Sequence, residues 1–369
     1  MALLFIEGFE QYPTSTEMNS GYYLGGNPMG AVWGYVQNPS QALIDTAVYR
    51  TAQPSGSAKS IRFYYPSGSW NSWAVLYTKA VQTDLIVGFV VNCSALDTWK
   101  LRLGSSNTGA MSGSNVITLR TNTSGQLILE NNRTATNLIT SAGGQSFYNG
   151  VWHYVELKIG WGTSASAEIR LDGLTVGSVS GVDTRSHASD PGYVQLCIGA
   201  PITVATGVAM YFDDFYLCNT SGVVNNDFLG PVKVYTLYPT ANGSINQFTP
   251  VGAASNWDAV NEQTYDGATT YVATSSSNQI DKYNVTDMGA VTPPAIYGVA
   301  LGSWSTKMEN TPRQMRHNLT VGGNTTNGAV FAPIVGPYMH SQEIFQTTPS
   351  GGAWTKADVD SMQIGVESL

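Results

Sequence analysis

Period-two alternation is the one repeat this chain shows, and the segments that carry it are short and bounded by Gly, Pro, Asn or Ser. Thr98 to Leu103 reads TWKLRL, which sets Trp99, Leu101 and Leu103 on one side and Lys100 and Arg102 on the other. Ser60 to Tyr65, SIRFYY, is a second half-buried strand. From Val151 to Ile159, Val151, His153, Val155, Leu157 and Ile159 share a face opposite Trp152, Tyr154, Glu156 and Lys158. Ala167, Ile169 and Leu171 then alternate with Glu168, Arg170 and Asp172, and Asp172-Gly173 supplies a tight turn, so the two runs read as a strand pair. Leu85 to Val91, LIVGFVV, is nearly continuous in apolar residues, as expected of a central strand covered on both faces. With no long helical pattern between such segments, antiparallel pairing in an all-β sandwich or barrel is expected, and a parallel α/β sheet is not. One short helix is predicted over Lys356 to Ser361, capped by Thr355 with Asp358 as its partner.

Charged side chains make up 11% of the 369 residues, against about 25% in an ordinary soluble domain. The hydrophobic share of 42% supports a sizeable core, and 39 Gly favour many turns. At roughly 100–200 residues per domain the length suggests two domains, or one large β architecture with an addition. A break is expected near Val223, after YFDDFYLCN, giving domains 1–222 and 223–369. The net charge of −8 and the lack of a clustered basic face argue against nucleic acid. Lys307, Arg313, Arg316 and His317 are the densest basic group, interrupted by Glu309, and read as a solvated strand or loop. No run reaches the ~20 apolar residues of a membrane helix, and MALLFIEGFE lacks the features of an export signal. Cys93, Cys197 and Cys218 are an odd, unpaired set and read as buried thiols, so synthesis in a reducing cytosol is expected.

Three pieces of the first half resemble the concanavalin A-like jelly-roll group that includes laminin G-like domains. They are IEGFEQY (Ile6 to Tyr12), the pair GVWHYVELKI and EIRLDG (Gly150 to Ile159, Glu168 to Gly173), and FDDFYL (Phe212 to Leu217). The resemblance implies two packed antiparallel sheets. The second half, from FLGPVKVYTLYPT through SNWDAVNE to EIFQTTPSGGAWTKADVDSMQIGVE, is similar to a β-rich module of tailed-bacteriophage virion proteins. The expected architecture is therefore a jelly-roll β-sandwich followed by a smaller β-sandwich-like domain.

Glucanases on this kind of jelly roll place their carboxylates as E-x-D-x-x-E, and no E-x-D occurs here. Glu168 and Asp172, if extended, would lie about 13 Å apart on one face, too far for paired-carboxylate hydrolysis. His153 falls on an apolar face and is the best candidate for a perturbed pKa. It reads as a structural donor, since neither a serine elbow, a phosphate-loop Gly-Lys nor H-E-x-x-H is present. Asp213 and Asp214 are adjacent in a strand and are expected on opposite faces. In some laminin G-like domains carboxylates help hold calcium, which makes this pair the candidate metal ligands, with no other cofactor expected.

Trp70, Trp73, Tyr64 and Tyr65 gather around a Ser/Gly turn and are candidate contacts for glycan or a protein partner, because exposed rings stack on sugars and anchor interfaces. The sequence thus leads to a non-enzymatic structural component displayed on a tailed-phage particle, at head, neck or tail, and assembled in the host cytoplasm. Its expected partners are other virion proteins, further copies of itself as a homo-oligomer, and host-surface glycan. A lectin-like adhesin is the alternative, and a polysaccharide hydrolase or lyase the second alternative.

Overall fold

A computed structural model describes residues 2–12, 35–37, 42–48, 50, 53, 58–65, 72–95, 98–105, 115–143, 150–200, 207–263, 266–336 and 338–369. These residues are almost wholly β, as the alternation requires. They divide into two compact units. The first takes the described residues up to Val234 except 10–12, 53 and 58, which join Tyr235–Leu369 in the second.

The strands of the first unit are, in chain order, β1 (Leu3–Glu7), β2 (Tyr35–Gln37), β3 (Ala42–Asp45), β4 (Ser60–Tyr65), β5 (Ser72–Gln82), β6 (Asp84–Cys93), β7 (Lys100–Gly104) and β8 (Ile117–Thr121). There follow β9 (Leu127–Asn131), β10 (Thr136–Thr140), β11 (His153–Gly160), β12 (Ala165–Leu171), β13 (Leu174–Val182), β14 (Tyr193–Ala200) and β15 (Val208–Cys218). An eight-stranded sheet has the order β13-β12-β11-β6-β15-β4-β3, with β1 also on β15; a seven-stranded sheet runs β10-β9-β8-β7-β14-β5-β2. Neighbours are antiparallel throughout, with crossovers such as β6 beside both β11 and β15, the jelly-roll sandwich the sequence predicted.

Alternation decides what each strand sends inward. Phe89 of β6 meets Trp99 edge-on at 5.6 Å between ring centroids and packs against Phe212 and Phe215. From the facing sheet Leu101, Leu103, Leu119, Leu129, Leu196 and Ile198 close the core, each 0–1% exposed. Burying one such side chain contributes about 1.5–3 kcal/mol. The thiols of Cys93, Cys197 and Cys218 are free and buried.

The outward face of β6 is buried as well, which fits its unbroken apolar run. Its cover is an irregular strap, residues 227–234, that follows β15. Arg170 lies 4.0 Å from the centroid of the Phe228 ring and Lys158 pairs with Asp227 at 3.0 Å. The Tyr216 ring crosses over Gly88 to reach beneath the strap, and a Cβ on Gly88 would fall 2.1 Å from Tyr216 Cε1.

In the second unit β16 (Pro239–Asn246), β19 (Ile280–Val285), β21 (Met315–Val321), β22 (Asn324–Phe331) and β24 (Gln363–Ser368) form one sheet, ordered β16-β19-β24-β21-β22. Two further pairs, β17 (Thr249–Val251) with β18 (Tyr271–Ala273) and β20 (Val299–Ser305) with β23 (Met339–Phe345), complete it. Leu301, Leu319, Phe345, Trp354 and Val359 form its core. The helix α1 (Lys356–Ser361) starts at the expected Thr355–Asp358 capping box and contributes Val359 to that core. Asp281, fully buried, accepts from Gln247 N, Phe248 N, the Asn256 amide and the Tyr283 hydroxyl, and so fixes the loop after β16. Among the described residues no helix is long and apolar enough to cross a membrane.

Gly88→Ala is expected to displace Tyr216 and lower stability by about 1–3 kcal/mol, the usual range for overpacking a core. Urea unfolding measures it, and an unchanged midpoint would contradict the close approach of ring and strand.

Candidate functional site

Two groups of polar side chains stand out in the first unit. One lies beneath the strap. Glu156, on β11, is fully shielded although the strand's alternation placed it opposite the apolar row. Its Oε1 accepts from the Tyr216 hydroxyl at 2.5 Å and from Gly230 N at 2.9 Å, while among the described residues nothing hydrogen-bonds its shielded Oε2. Burial raises its pKa, against the lowering effect of those hydrogen bonds.

The Asp213–Asp214 pair belongs to the same region. Both are buried, which corrects the expectation of one inward and one exposed side chain. A break in the register of β15 between Asp213 and Tyr216, with Asp214 at φ 48°, removes the strict alternation. All four carboxylate oxygens accept from nitrogen donors. Asp213 takes Asp214 N and Arg50 N; Asp214 takes Val234 N and the Arg50 guanidinium, the last at 2.7 Å. Arg50 also donates to Val232 O at 2.6 Å. The pair thus fastens the strap, in surroundings of N–H donors rather than the oxygen ligands calcium prefers. Among the described residues no group of three or more His, Cys, Asp or Glu is arranged to hold a metal.

The second group is the outward face of the seven-stranded sheet, built by the alternation that turns Trp99, Leu101 and Leu103 into the core. Cross-strand register lines up Lys100 (β7), Arg120 (β8) and Ile128 (β9) in one row. Cys197 (β14), Arg102 (β7), Thr118 (β8) and Glu130 (β9) form the next. Thr118, Ile128, Gln195 and Cys197 are at most 4% exposed, whereas Lys100, Arg102, Arg120 and Glu130 are half-buried, so the neutral residues of this face are covered and the charged ones are its part-exposed side chains. Glu130 is already committed: Oε2 accepts from Arg120 Nε at 3.0 Å and Oε1 from the Asn132 amide at 3.0 Å. Asn132 Oδ1 in turn accepts from the Thr118 hydroxyl. Burial holds the Arg102 pKa below that of an ordinary guanidinium and pushes the Cys197 thiol up.

The aromatic candidates are not gathered by the fold in the way their sequence spacing suggested. Tyr64 and Tyr65 are on β4 of the eight-stranded sheet and Trp73 on β5 of the other. The Tyr64 ring is exposed, with the Arg62 guanidinium 5.5 Å from its centroid. Trp73 is paired through its backbone with Gly199, whose other neighbour is Lys100, so its backbone lies two strands from Lys100. Trp70 lies outside the described residues. Glu168 is held by Arg170 and Thr175, and Asp172 has turned out of the strand at φ 50°. Asp172 accepts from Tyr154 N and contacts His153 Nδ1 at 2.8 Å, so His153 has a carboxylate partner at the strand end rather than an apolar setting. In the second unit the basic group separates into the pairs Arg313–Glu309 and Arg316–Glu367.

No protein-family model matches the chain, and a comparison with curated proteins gives no match. Solved structures do resemble it. An endo-β-1,4-glucuronan lyase from the fungus Trichoderma reesei is 14% identical, with TM-score 0.36 over 50% of this chain and 90% of that one. The lectin UEA-II, complexed with galactose, is 11% identical, with TM-score 0.32 over 50% and 94%. A carbohydrate esterase from the Shiga toxin-encoding bacteriophage phi24B is 12% identical, with TM-score 0.32 over 48% and 86%. What these structures share with the chain is a β-rich architecture, which its own two antiparallel sheets already show.

This corrects the expectation of a chain without enzymatic function. Structures similar to it include a lyase and an esterase. The missing E-x-D motif speaks only to hydrolysis by paired carboxylates.

Glu156 makes stability depend on pH. Holding its proton where an unfolded carboxyl has lost it, the folded chain binds the extra proton, so stability falls as pH rises from the unfolded carboxyl range through the raised value. Asp213, raised by burial and by the Asp214 charge, acts in the same direction. Urea midpoints followed from about pH 4 to pH 8 should fall for the wild type and fall less for Glu156→Gln; equal slopes would refute the assignment.

Proposed function

We propose that this chain is a carbohydrate-binding surface component of a tailed-phage particle, taking glycan on the outward face of the seven-stranded sheet. The observation that carries the binding reading is the group of part-exposed charged side chains on that face. Four half-buried charged side chains stand among covered neutral ones on three adjacent strands, in a chain where charge is scarce at 11%. Fixed guanidinium, ammonium, hydroxyl and amide groups on a rigid sheet suit a ligand rich in hydroxyls, since oriented hydrogen bonds supply specificity where a purely apolar patch would not.

Placement on a phage particle is supported by the similarity of the second half to a β-rich virion module. In that setting the partners are other virion proteins and further copies of the chain, assembled in the host cytoplasm. Many copies on one particle turn a weak contact with host-surface glycan into firm attachment, because each bound site raises the effective concentration of the next.

A glycan array probed with the purified full chain is expected to return a limited set of ligands, and Arg120→Gln to weaken them by about tenfold, the scale of one charge-assisted hydrogen bond. Immunogold labelling of the particle is expected on its exterior. An empty array would defeat the binding reading, and unlabelled particles the placement.

A further inference from the structure

We infer that the strap over β6, residues 227–234, is a pH-operated latch, closed on the sheet while Glu156 carries its proton and lifted when that carboxyl ionises. The inference stands apart from the carbohydrate reading.

The way the strap is attached comes first. It belongs to no ladder, and its residues are exposed or half-buried. Its backbone is fastened through ionisable side chains of the sheet and of Arg50. Leu229 N donates to the Tyr216 hydroxyl at 3.2 Å, Gly230 N to Glu156 Oε1 at 2.9 Å and Val234 N to Asp214 Oδ1 at 2.7 Å, while Val232 O accepts from Arg50. The Asp227–Lys158 pair at its start is solvent-exposed and adds little. What the latch covers is the outward row of β6, where Ile86 and Val90 are 0% and 1% exposed.

Glu156 is the weak fastening. Oε1 takes both of its hydrogen bonds, and among the described residues nothing hydrogen-bonds the shielded Oε2. Around it stand Tyr216 and Cys218 of β15, Arg170 of β12, Asp227 of the strap, and Tyr154 and Lys158 of its own strand. Burial keeps Tyr154, Tyr216 and Cys218 neutral. Of the two cations, Arg170 is turned to Glu168 and the Phe228 ring, and Lys158 to Asp227. Asp214 and Arg50 already balance each other. An ionised Glu156 is therefore a shielded charge with one bare oxygen and Asp227, of like sign, close by. Lifting the strap admits water to that oxygen and gives up hydrogen bonds whose net worth is modest. The aromatic core on the inward side of β6 is untouched, so the opening is local.

The sign follows from linkage. Burial raises the Glu156 pKa in the closed form, so closure is fully favoured below the open-form carboxyl value and weakens as pH rises through the raised one. Asp213, raised by burial and by Asp214, adds in the same direction.

The test is amide hydrogen exchange of the full chain, expressed as protection factors so that the intrinsic pH dependence cancels, from about pH 4 to pH 8. Protection of residues 229–234 is expected to fall by about tenfold, the linkage of one pH unit, while β7 stays level. The fall is smaller in Glu156→Gln. In Tyr216→Phe it continues to higher pH, because the hydroxyl that lowers the Glu156 pKa is gone, whereas a merely structural Tyr216 would lower protection equally at every pH. Level strap protection in the wild type, a parallel fall of β7, an equal fall in Glu156→Gln, or a Tyr216→Phe profile parallel to the wild type overturns the latch.

Discussion

Covering β6 on both faces is the constraint on which the first unit depends. Inward, Phe89 joins an aromatic cluster with Trp99, Phe212 and Phe215. Outward, Ile86, Gly88 and Val90 are buried too, beneath the strap. The strap solves this with eight residues that form no ladder, so their polar backbone must find side-chain partners. Glu156, Asp214, Arg50 and the Tyr216 hydroxyl provide them, and Tyr216 can reach across only because residue 88 has no side chain. The buried acids are thus a consequence of closing an apolar sheet with irregular chain.

Much of the sandwich was legible in the sequence. TWKLRL announced which side chains enter the core and which two cations do not, and LIVGFVV announced a strand buried on both faces. The cap at Thr355 could be read from a local pattern because both of its partners lie within one helical turn. What could not be read depended on distant residues. Glu156 looked solvent-facing because its cover comes from Tyr216 and Gly230, 60 and 74 residues away. The Asp213–Asp214 alternation failed at a local irregularity in β15, for which the sequence carried no signal.

The charged face was half visible. Lys100 and Arg102 shared a predicted face, but Arg120 and Glu130 join them only through the register of β7, β8 and β9. Conversely, Tyr64, Tyr65 and Trp73 looked like one cluster because they are close in sequence. The chain crosses between the sheets after β4, so β4 and β5 carry the two tyrosines and Trp73 apart. Nearness along the chain is a poor guide to a shared surface wherever a crossover intervenes.

The three thiols bear on where such a molecule can survive. Cys93, Cys197 and Cys218 are all buried, and burial pushes Cys93 up to about 11, so little thiolate forms at neutral pH. Oxidants and disulfide exchange need that thiolate and a path to it. A protein built this way can leave a reducing compartment for an oxidising one with its covalent structure unaltered, needing neither a bridge to hold it nor a reductase to protect it.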